Sequence, residues 1–466
     1  MTLVLRGTKG SRLTTAEMDA NLSGLADGSL LTGLAASTGS SLVGFVQSGT
    51  ATSRTTENKL REIEVSITDY GAVDSADIKA AFDLAKAAYP NGCTIVFPET
   101  TNHWLLSSQI STPDATPYIL KGRGVTSLIK KGFSGDMIDL GARSQMVDMH
   151  LDGEGATYTG RGVIVTSGAN NNTSWRKFIN CEILDTESYC VEFTADTAGF
   201  KSQAEGGRYI PTSGSTPAFK MPADTSVGNR TLIGVDTADN PLVDVHTAAN
   251  TALIGCQGGV PDLTDAHTKT RVVGCRIHGA SEITFNGTDL TVTGNVFGQT
   301  SVIYAAGLSR CKIRNNAFPT HTVTDNAGGA SSNNYIEYGA VSYAPTWTAS
   351  GTAPALDNGT LSGSYSRNGD HLKVNILWIA GSGTTFGTGA WSFSLPKAAA
   401  RSEVGSAYAA DTGTGFYSGI SRVVSAASTV QTYFGDNKGN STTNLIPFTW
   451  ASTDRMELNL DYAISG

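Results

Sequence analysis

The sequence has few charged residues, which make up 16% of its 466 positions, whereas about 25% is typical of globular proteins. Basic residues are not in excess, because 33 Lys and Arg stand against 41 Asp and Glu and the net charge is -8. Proteins bind nucleic acid largely through clusters of Lys and Arg that neutralise phosphates. We therefore expect no nucleic-acid partner.

Long apolar runs and cysteine motifs are also missing. No run of 18 apolar residues is present, so we expect a soluble chain without membrane insertion. Residues 1–10 are basic but no apolar segment follows them, so no signal peptide is expected. The six cysteines form no CxxC pair and no histidine stands at metal spacing, which argues against a disulfide framework and a zinc site. We expect neither a metal nor a cofactor, since Asp262 and Asp265 are too few acids for calcium.

What the chain has instead is glycine, 53 residues in all, with short β runs between Gly and Asn turns. From about residue 120 to 342 a six-residue segment recurs, and its fifth position falls at residues 235, 256, 275 and 295. A step near 20 residues fits a leucine-rich repeat or a parallel β-helix, and the LxxLxLxxN pattern of the former is missing. A parallel β-helix over about residues 95–340 is therefore predicted. Its clearest copies are Thr231–Asp236, Ala252–Gln257, Arg271–Arg276 and Thr291–Val296, with further copies at 178–182, 201–205 and 313–317.

Three regions of the chain differ in composition and in hydrophobic pattern, and we predict one domain from each. Residues 1–64 hold one short helix at 15–22 and then Gly, Ser and Thr, too little for a core of their own, so they need a partner or an oligomer. Residues 65–342 form the β-helix, whose open end is capped by an amphipathic helix from Asp77 to Tyr89. Residues 343–466 alternate apolar and polar positions, as in 372–378 and 456–462, which predicts an antiparallel β-sandwich or jelly roll.

The capping stretch resembles a known family. Ile67–Gly71, the helix Asp77–Tyr89 and the strand Thr94–Pro98 are similar to the start of bacteriophage tailspikes with a pectate-lyase-like, right-handed parallel β-helix. The linker between motif and helix is shortened here to Asp74–Asp77. Lys9–Thr14 and Glu17–Asn21 resemble the start of phage tail fibres, and Leu42–Gly49 resembles the stretch that often precedes the helix of a tailspike. Pro345–Thr352 and Trp391–Pro396 resemble a C-terminal β domain of phage fibres.

The resemblance implies a homotrimer in the virion tail, fixed to the phage baseplate or tail by residues 1–64. It would be synthesised in the bacterial cytoplasm and act at the host cell surface. The β-helix would bind and usually cleave a bacterial surface polysaccharide, either capsule or O-antigen, and residues 343–466 would serve trimerisation or carbohydrate binding. Lyases, hydrolases and esterases share this fold, so the fold alone does not choose the chemistry.

Acidic residues at position six of the repeat suggest a catalytic site. This position should point outwards, because it follows an inward fifth residue. The aligned copies predict an outer line of three acids, about 5 Å and about 10 Å apart, which brackets the carboxylate separations of retaining and inverting glycosidases. We therefore predict endo-glycosidic hydrolysis by a pair drawn from these acids. The three are Glu182, Glu205 and Asp236, and the reserve candidates that follow them are Asp185, Glu187 and Asp239.

Nearby cationic and aromatic residues are candidates for substrate binding. Lys201, Arg208 and His246 would contact an anionic sugar, whereas Trp175, Tyr189 and Tyr209 would stack on sugar rings. Two alternatives stay open. One is a polysaccharide lyase acting on a uronate, with its base and cation drawn from His246, His267, His278, Lys201 and Arg208. The other is a non-catalytic receptor-binding trimer, in which the acids merely solvate a β face.

Overall fold

The structure is a computed structural model. It describes residues 44–45, 54–55 and 64–465, apart from 115, 142, 166–174, 194–200, 222–228, 246–249, 262–266, 280–281, 319–321, 329–332 and 436–439. The helix predicted at 15–22 lies outside the described residues. Of the N-terminal segment, Gly44–Phe45 pairs antiparallel with Arg54–Thr55. None of the helices in the described ranges is long and apolar enough to span a membrane.

Residues 65 to 343 wind into the predicted right-handed parallel β-helix, whose three faces we call sheets 1, 2 and 3. Sheet 1 contains Val65–Ser66, Thr94–Val96, Ile119–Lys121, Gln145–Val147, Trp175–Ile179, Lys201–Glu205, Asn229–Ile233, Thr251–Ile254, Arg271–Val273, Thr291–Thr293, Lys312–Arg314 and Tyr335–Tyr343. Sheet 2 contains Trp104–Leu106, Leu128–Lys131, His150–Asp152, Glu182–Thr186, Arg208–Pro211, Asp236–Pro241, Gln257–Gly259, Arg276–His278 and Val296–Phe297.

Sheet 3 occupies the remaining face. Its strands are Ile110–Ser111, Ile138–Asp139, Val163–Val165, Val191–Phe193, Phe219–Met221 and Val243–Val245. Later coils place Glu282–Phe285, Ser301–Tyr304 and Thr322–Asp325 in a three-stranded sheet and pair His267–Thr268 with Gly287–Thr288.

The core of the solenoid is built from apolar residues that stack in register. Along sheet 1, each inward residue sits on the inward residue of the next coil, because the strands pair residue by residue. All members of this column are buried: Phe178, Ala204, Leu232, Leu253, Val272, Val292 and Ile313. Burial of such a column is the main favourable term of the fold, at about 25 cal/mol per Å².

The bend between sheets 1 and 2 contains the predicted inward column at residues 235, 256, 275 and 295, and its stacking is confirmed. Asn295 accepts a hydrogen bond from the Cys275 amide at 2.8 Å and donates to the Val272 carbonyl at 2.9 Å. Asn316 accepts from the Asn295 amide at 3.1 Å in the same way. The preceding position is left-handed, for example φ 61° at Gly234, a conformation that costs glycine little.

Helix α1, Lys79–Ala88, covers the open N-terminal end after a 3-10 helix at Ile67–Tyr70. Its apolar side buries Phe82, whose ring lies 6.5 Å from that of Phe97. The helix begins two residues after the predicted Asp77, because that carboxylate accepts hydrogen bonds from the amides of Lys79 and Ser107, both at 3.1 Å.

The C-terminal region continues sheet 1 without a break. Strand Tyr335–Tyr343 pairs in parallel with the last coil and antiparallel with Thr360–Gly369, so it spans the predicted boundary at 342/343. The antiparallel sheet folds around four tryptophans, Trp347, Trp378, Trp391 and Trp450, whose ring centroids lie 4.8–5.4 Å apart where they touch. Its other strands are Trp347–Ala349, His371–Ile379, Trp391–Ser394, Glu403–Asp411, Gly415–Val423, Thr429–Phe434 and Arg455–Ala463.

A buried ion cluster joins the solenoid to this C-terminal sheet. Asp325, on the last coil, is paired with Arg367 at 2.7 Å and with Lys397 at 2.9 Å. The Tyr338 hydroxyl donates to the same carboxylate at 2.9 Å. Arg367 is fully buried, so its charge depends on Asp325 for compensation.

Asp325→Asn should lower the free energy of unfolding by about 3–5 kcal/mol, because it leaves a buried guanidinium uncompensated. Urea unfolding followed by tryptophan fluorescence measures this change. The matched control, Asp461→Asn, removes an exposed partner of His371 and should cost less than about 1 kcal/mol. Equal effects of the two variants would contradict the role given to the cluster.

Candidate active site

Sheet 2 carries a row of outward side chains in which basic and acidic residue types alternate. His150, Glu182, Arg208 and Asp236 are direct partners on successive parallel strands. We call these four residues the sheet 2 row. Their sequence neighbours point into the core, as buried Ile183 does, so the period of two puts the row on the outer face.

The row places two carboxylates on either side of one cation. Glu182 Oε2 lies 3.8 Å from His150 Nε2, and Asp236 Oδ2 lies 3.9 Å from Arg208 Nε. Asp236 Oδ1 also accepts a hydrogen bond from the Ala238 amide at 2.9 Å. Arg208 is half exposed. With one strand between them, the Cα atoms of the two acids are about 10 Å apart.

Glu205 does not belong to this row, and its predicted stacking with Glu182 and Asp236 is wrong. It lies on sheet 1 between Ile179 and Ile233, with Lys177 Nζ 3.6 Å from its carboxylate. The copy at 201–205 is misaligned by three residues, because Gly207 and not Ala204 occupies the inward bend. A Cβ on Gly207 would lie 2.0 Å from the Cys181 carbonyl oxygen.

This shift also changes the electrostatics of the predicted site. Arg208, not a third acid, stands between Glu182 and Asp236. The three acids therefore do not form the predicted outer line, and each of the two that remain has a basic residue and not an acid beside it.

The reserve acids come after the row along the chain, Asp185 and Asp239 within the same strands as Glu182 and Asp236, and Glu187 directly after the first of these strands. Asp185 accepts a hydrogen bond from the Thr212 hydroxyl at 2.7 Å, and Glu187 accepts from the Gly160 amide at 3.2 Å. Asp239 is exposed and lies 3.0 Å from His278 Nδ1. Each of these carboxylates thus has a partner on another coil of the solenoid.

The aromatic candidates are divided between core and surface. Tyr209 is fully buried, with its ring 4.6 Å from that of Phe219, so its predicted stacking on sugar is wrong. It follows Arg208 directly, and alternation along the strand turns it inwards. Tyr189 is on the surface side, with Lys220 Nζ 5.1 Å from its ring centroid.

The remaining binding candidates are not brought to the row. The backbones of Trp175 and Lys201 pair with each other on sheet 1, at the far end of the strands that lead to the bend. His246 lies outside the described residues.

Sheet 3 contains a charge cluster that the sequence reading missed. Glu192 is largely buried, 2.7 Å from Arg161 Nε and 3.1 Å from Lys220 Nζ. Asp136 lies 3.4 Å from the same Arg161, so the cluster ties four coils together. An acid between two inward apolar residues, Val191 and Phe193, was the available signal. Because the Glu192 carboxylate is paired with two cations, we assign it a structural role and not a catalytic one.

Among the residues that the structure describes, no three His, Cys, Asp or Glu side chains are grouped so as to hold a metal ion.

Comparison with known proteins found relatives among phage tail proteins. No family model matches the chain. The Mu-like prophage FluMu defective tail fiber protein of Haemophilus influenzae is 33% identical over 115 residues, 23% of this chain and 18% of that protein. The match thus spans less than a fifth of that relative.

Two solved structures are similar at low identity. The Dettilon tailspike protein is 11% identical with a TM-score of 0.46, covering 88% of this chain and 96% of that one. ORF18 of Geobacillus virus E2 is 12% identical with a TM-score of 0.49, covering 85% and 81%. In sequence, the chain is similar to a phage tail fiber protein over 115 residues.

Tyr209→Phe should leave the free energy of unfolding unchanged or raise it by up to about 1 kcal/mol. The Tyr209 hydroxyl is buried and has no hydrogen-bond partner in the described part of the chain, and removing such a group relieves a desolvation cost. Urea unfolding measures the change, and Tyr209→Ala, which opens a cavity, should cost about 3–5 kcal/mol. If Tyr209→Phe lost polysaccharide binding, Tyr209 would have to contact the ligand, which would contradict its position in the core.

Proposed function

We propose that this chain is a phage tailspike or tail fibre protein that binds a bacterial surface polysaccharide and hydrolyses it at the sheet 2 row. The observation that carries the proposal is the placement of Glu182 and Asp236 on either side of half-exposed Arg208. The sequence match to a phage tail fiber protein supports the biological setting.

The spacing of the two acids favours inversion at the sugar carbon. Two carboxylates that act through an intervening water lie about 6.5–9.5 Å apart. The Cα atoms of residues two strands apart are separated by about 10 Å, so their carboxyl groups can reach that spacing. Adjacent strands would bring them nearer to the spacing of a retaining enzyme. One sugar unit with its attacking water would then fit across Arg208.

The contacts of each acid suggest its role. Asp236 is fixed by the Ala238 amide, which suits a base that must hold one water in place. Among the described residues Glu182 pairs with His150 alone, at 3.8 Å, so its side chain could follow the departing glycosidic oxygen as general acid. Arg208, between them, would donate hydrogen bonds to the sugar at the point of cleavage.

A non-catalytic receptor-binding protein is the second candidate. Both acids of the row have a basic side chain within 4 Å, and Asp239 and Glu205 are paired as well. Salt-bridged acids are what a binding surface without chemistry would present. Cleavage therefore separates the two candidates.

Glu182→Gln and Asp236→Asn should each lower the rate of depolymerisation at least ~100-fold, because each removes a proton-transfer group. Reducing ends released from host capsule or O-antigen measure hydrolysis, and ultraviolet absorbance of an unsaturated uronate detects elimination. Glu282→Gln, on a later coil, is the matched control and should keep full activity.

Activity that survives both substitutions would move the chemistry away from the row. An unsaturated product would assign the chain to the lyases, and binding without any product would assign it to the receptor-binding proteins.

We also propose that the protein is a homotrimer attached to the phage tail by residues 1–64. The outer face of the C-terminal sheet exposes Val404, Phe416 and Ile420, and Phe416 is 76% exposed. Apolar residues clustered on one face are typical of an interaction surface. Residues 343–466 would thus serve trimerisation or carbohydrate binding.

Sedimentation of the full chain at micromolar concentration should give the mass of three chains. Phe416→Ser should weaken the assembly, whereas Val73→Ser, which removes an exposed apolar residue next to the capping helix, should not. A stable monomer of the unaltered chain would contradict the proposal.

A further inference from the structure

Sheet 1 has a recess on its outer face, away from the sheet 2 row. Its floor follows one outward line of the sheet, in which Thr231, Ala252, Arg271 and Thr291 are successive partners. Its wall is formed by the turns before these strands, at Asn250, Lys269 and Asp289, which share left-handed backbones with φ 57–59°. Together with Thr251 these residues line a cavity of about 410 Å³.

The recess exists because of one small side chain. Ala252 stands between Thr231 and Arg271 in the register, and its methyl group leaves the space that a longer residue would fill. The remaining lining is hydroxyl, amide and charge, without an aromatic ring. Such a lining suits a ligand that is rich in hydroxyl groups and not an apolar one.

Arg271 is the cation of the recess that has no counter-charge among the described residues. Arg271 is exposed and its guanidinium makes no hydrogen bond or ion pair with the residues that the structure describes. Asp289 is the acid of the lining, but Arg310 holds both its oxygens, at 2.8 and 2.9 Å. The pairing with Arg310 and, to a smaller extent, the positive charge of Lys269 lower the pKa of Asp289. Asp289 therefore stays ionised and bound to Arg310, and Lys269 interacts with it only at longer range than an ion pair.

The charge around the recess is opposite to that of the chain. Residues 250–254, 269–273, 289–293 and 310–314 form four successive sheet 1 strands and their leading turns, and Asp289 is the acid among them. Five cations face it: Lys269, Arg271, Arg310, Lys312 and Arg314. In a chain with net charge -8, this local excess would attract an anion to one place.

We propose that this recess is a second saccharide site, which binds a sugar carrying a carboxylate. Arg271 binds the carboxylate through a bidentate pair of hydrogen bonds, and Lys269 adds a second positive charge. The hydroxyl groups of the sugar form hydrogen bonds with Thr231, Thr291 and Asn250. The choice of a saccharide rests on the proposed function, whereas the demand for an anion comes from the recess itself.

The test is calorimetric binding of tetragalacturonic acid to the full chain, beside its fully methyl-esterified form. The acid should bind and the neutral ester should not. Lys269→Gln with Arg271→Gln should weaken binding at least ~10-fold, because two charge-assisted contacts are lost. Lys373→Gln with Arg422→Gln, which removes the same charge from the C-terminal sheet, should change it less than ~2-fold.

Ala252→Leu tests the recess without changing its charge. The longer side chain should block the cavity and abolish binding of the acid, while adsorption to a merely basic surface would survive. Equal binding of the ester, equal loss in the control pair, or no binding of the acid would each overturn the proposal. Full displacement by millimolar inorganic phosphate would reduce it to a simple anion site and overturn the saccharide assignment.

Binding of the acid in the recess does not depend on catalysis at the sheet 2 row. Glu182→Gln should still bind the acid in the recess, so a chain without hydrolytic activity leaves the recess testable. Conversely, hydrolysis that persists in Lys269→Gln with Arg271→Gln leaves the proposed function in place.

Discussion

Parallel backbone hydrogen bonding between coils is the constraint on which the rest of this structure depends. Each strand pairs with the strand one coil later, so a residue's outward or inward direction and its neighbours are set together. A shift of one residue would turn every side chain to the opposite face. Through this register the chain places Glu182, Arg208 and Asp236 side by side, although 26 and 28 residues separate them along the sequence.

The bends keep that register from slipping. At the bend after sheet 1, glycine, asparagine or aspartate takes the left-handed position, and the next residue, such as Met149 or Val235, turns inwards. Asn295 and Asn316 satisfy backbone groups of the preceding coil that would otherwise be buried without a partner, which would cost about 1–3 kcal/mol each. Capping completes the stack, with α1 at one end and the antiparallel sheet that continues from Tyr335–Tyr343 at the other.

The sequence was most informative where the coils are regular. The step of 19 to 21 residues predicts the β-helix and the column at 235, 256, 275 and 295, because one apolar column and one bend residue recur in every coil. The early coils are longer, and there the pattern fails. Glu205 resembles Glu182 in its local sequence, but Gly207 decides the bend through a close approach to the Cys181 carbonyl. This contact joins two different coils, so the sequence of one segment does not predict it.

The candidate site was predictable in part for the same reason. Asp236 ends one of the clearest copies of the repeat and Glu182 ends a further copy. Arg208 was singled out, but for the cleft and not for the position between the two acids. Tyr209 was assigned to the surface because its alternation with Arg208 depends on where the strand begins. The cluster of Glu192 with Arg161 and Lys220 joins several coils, so no local pattern predicts it.

We propose the sheet 2 row as the place where a polysaccharide is cleaved. A crystal structure of Glu182→Gln soaked with an oligosaccharide prepared from the host's own surface polysaccharide would test this directly. We expect a glycosidic oxygen within hydrogen-bond distance of residue 182, a water between the sugar and Asp236, and Arg208 in contact with the same sugar unit. An oligosaccharide bound elsewhere, with the row left to solvent, would contradict it.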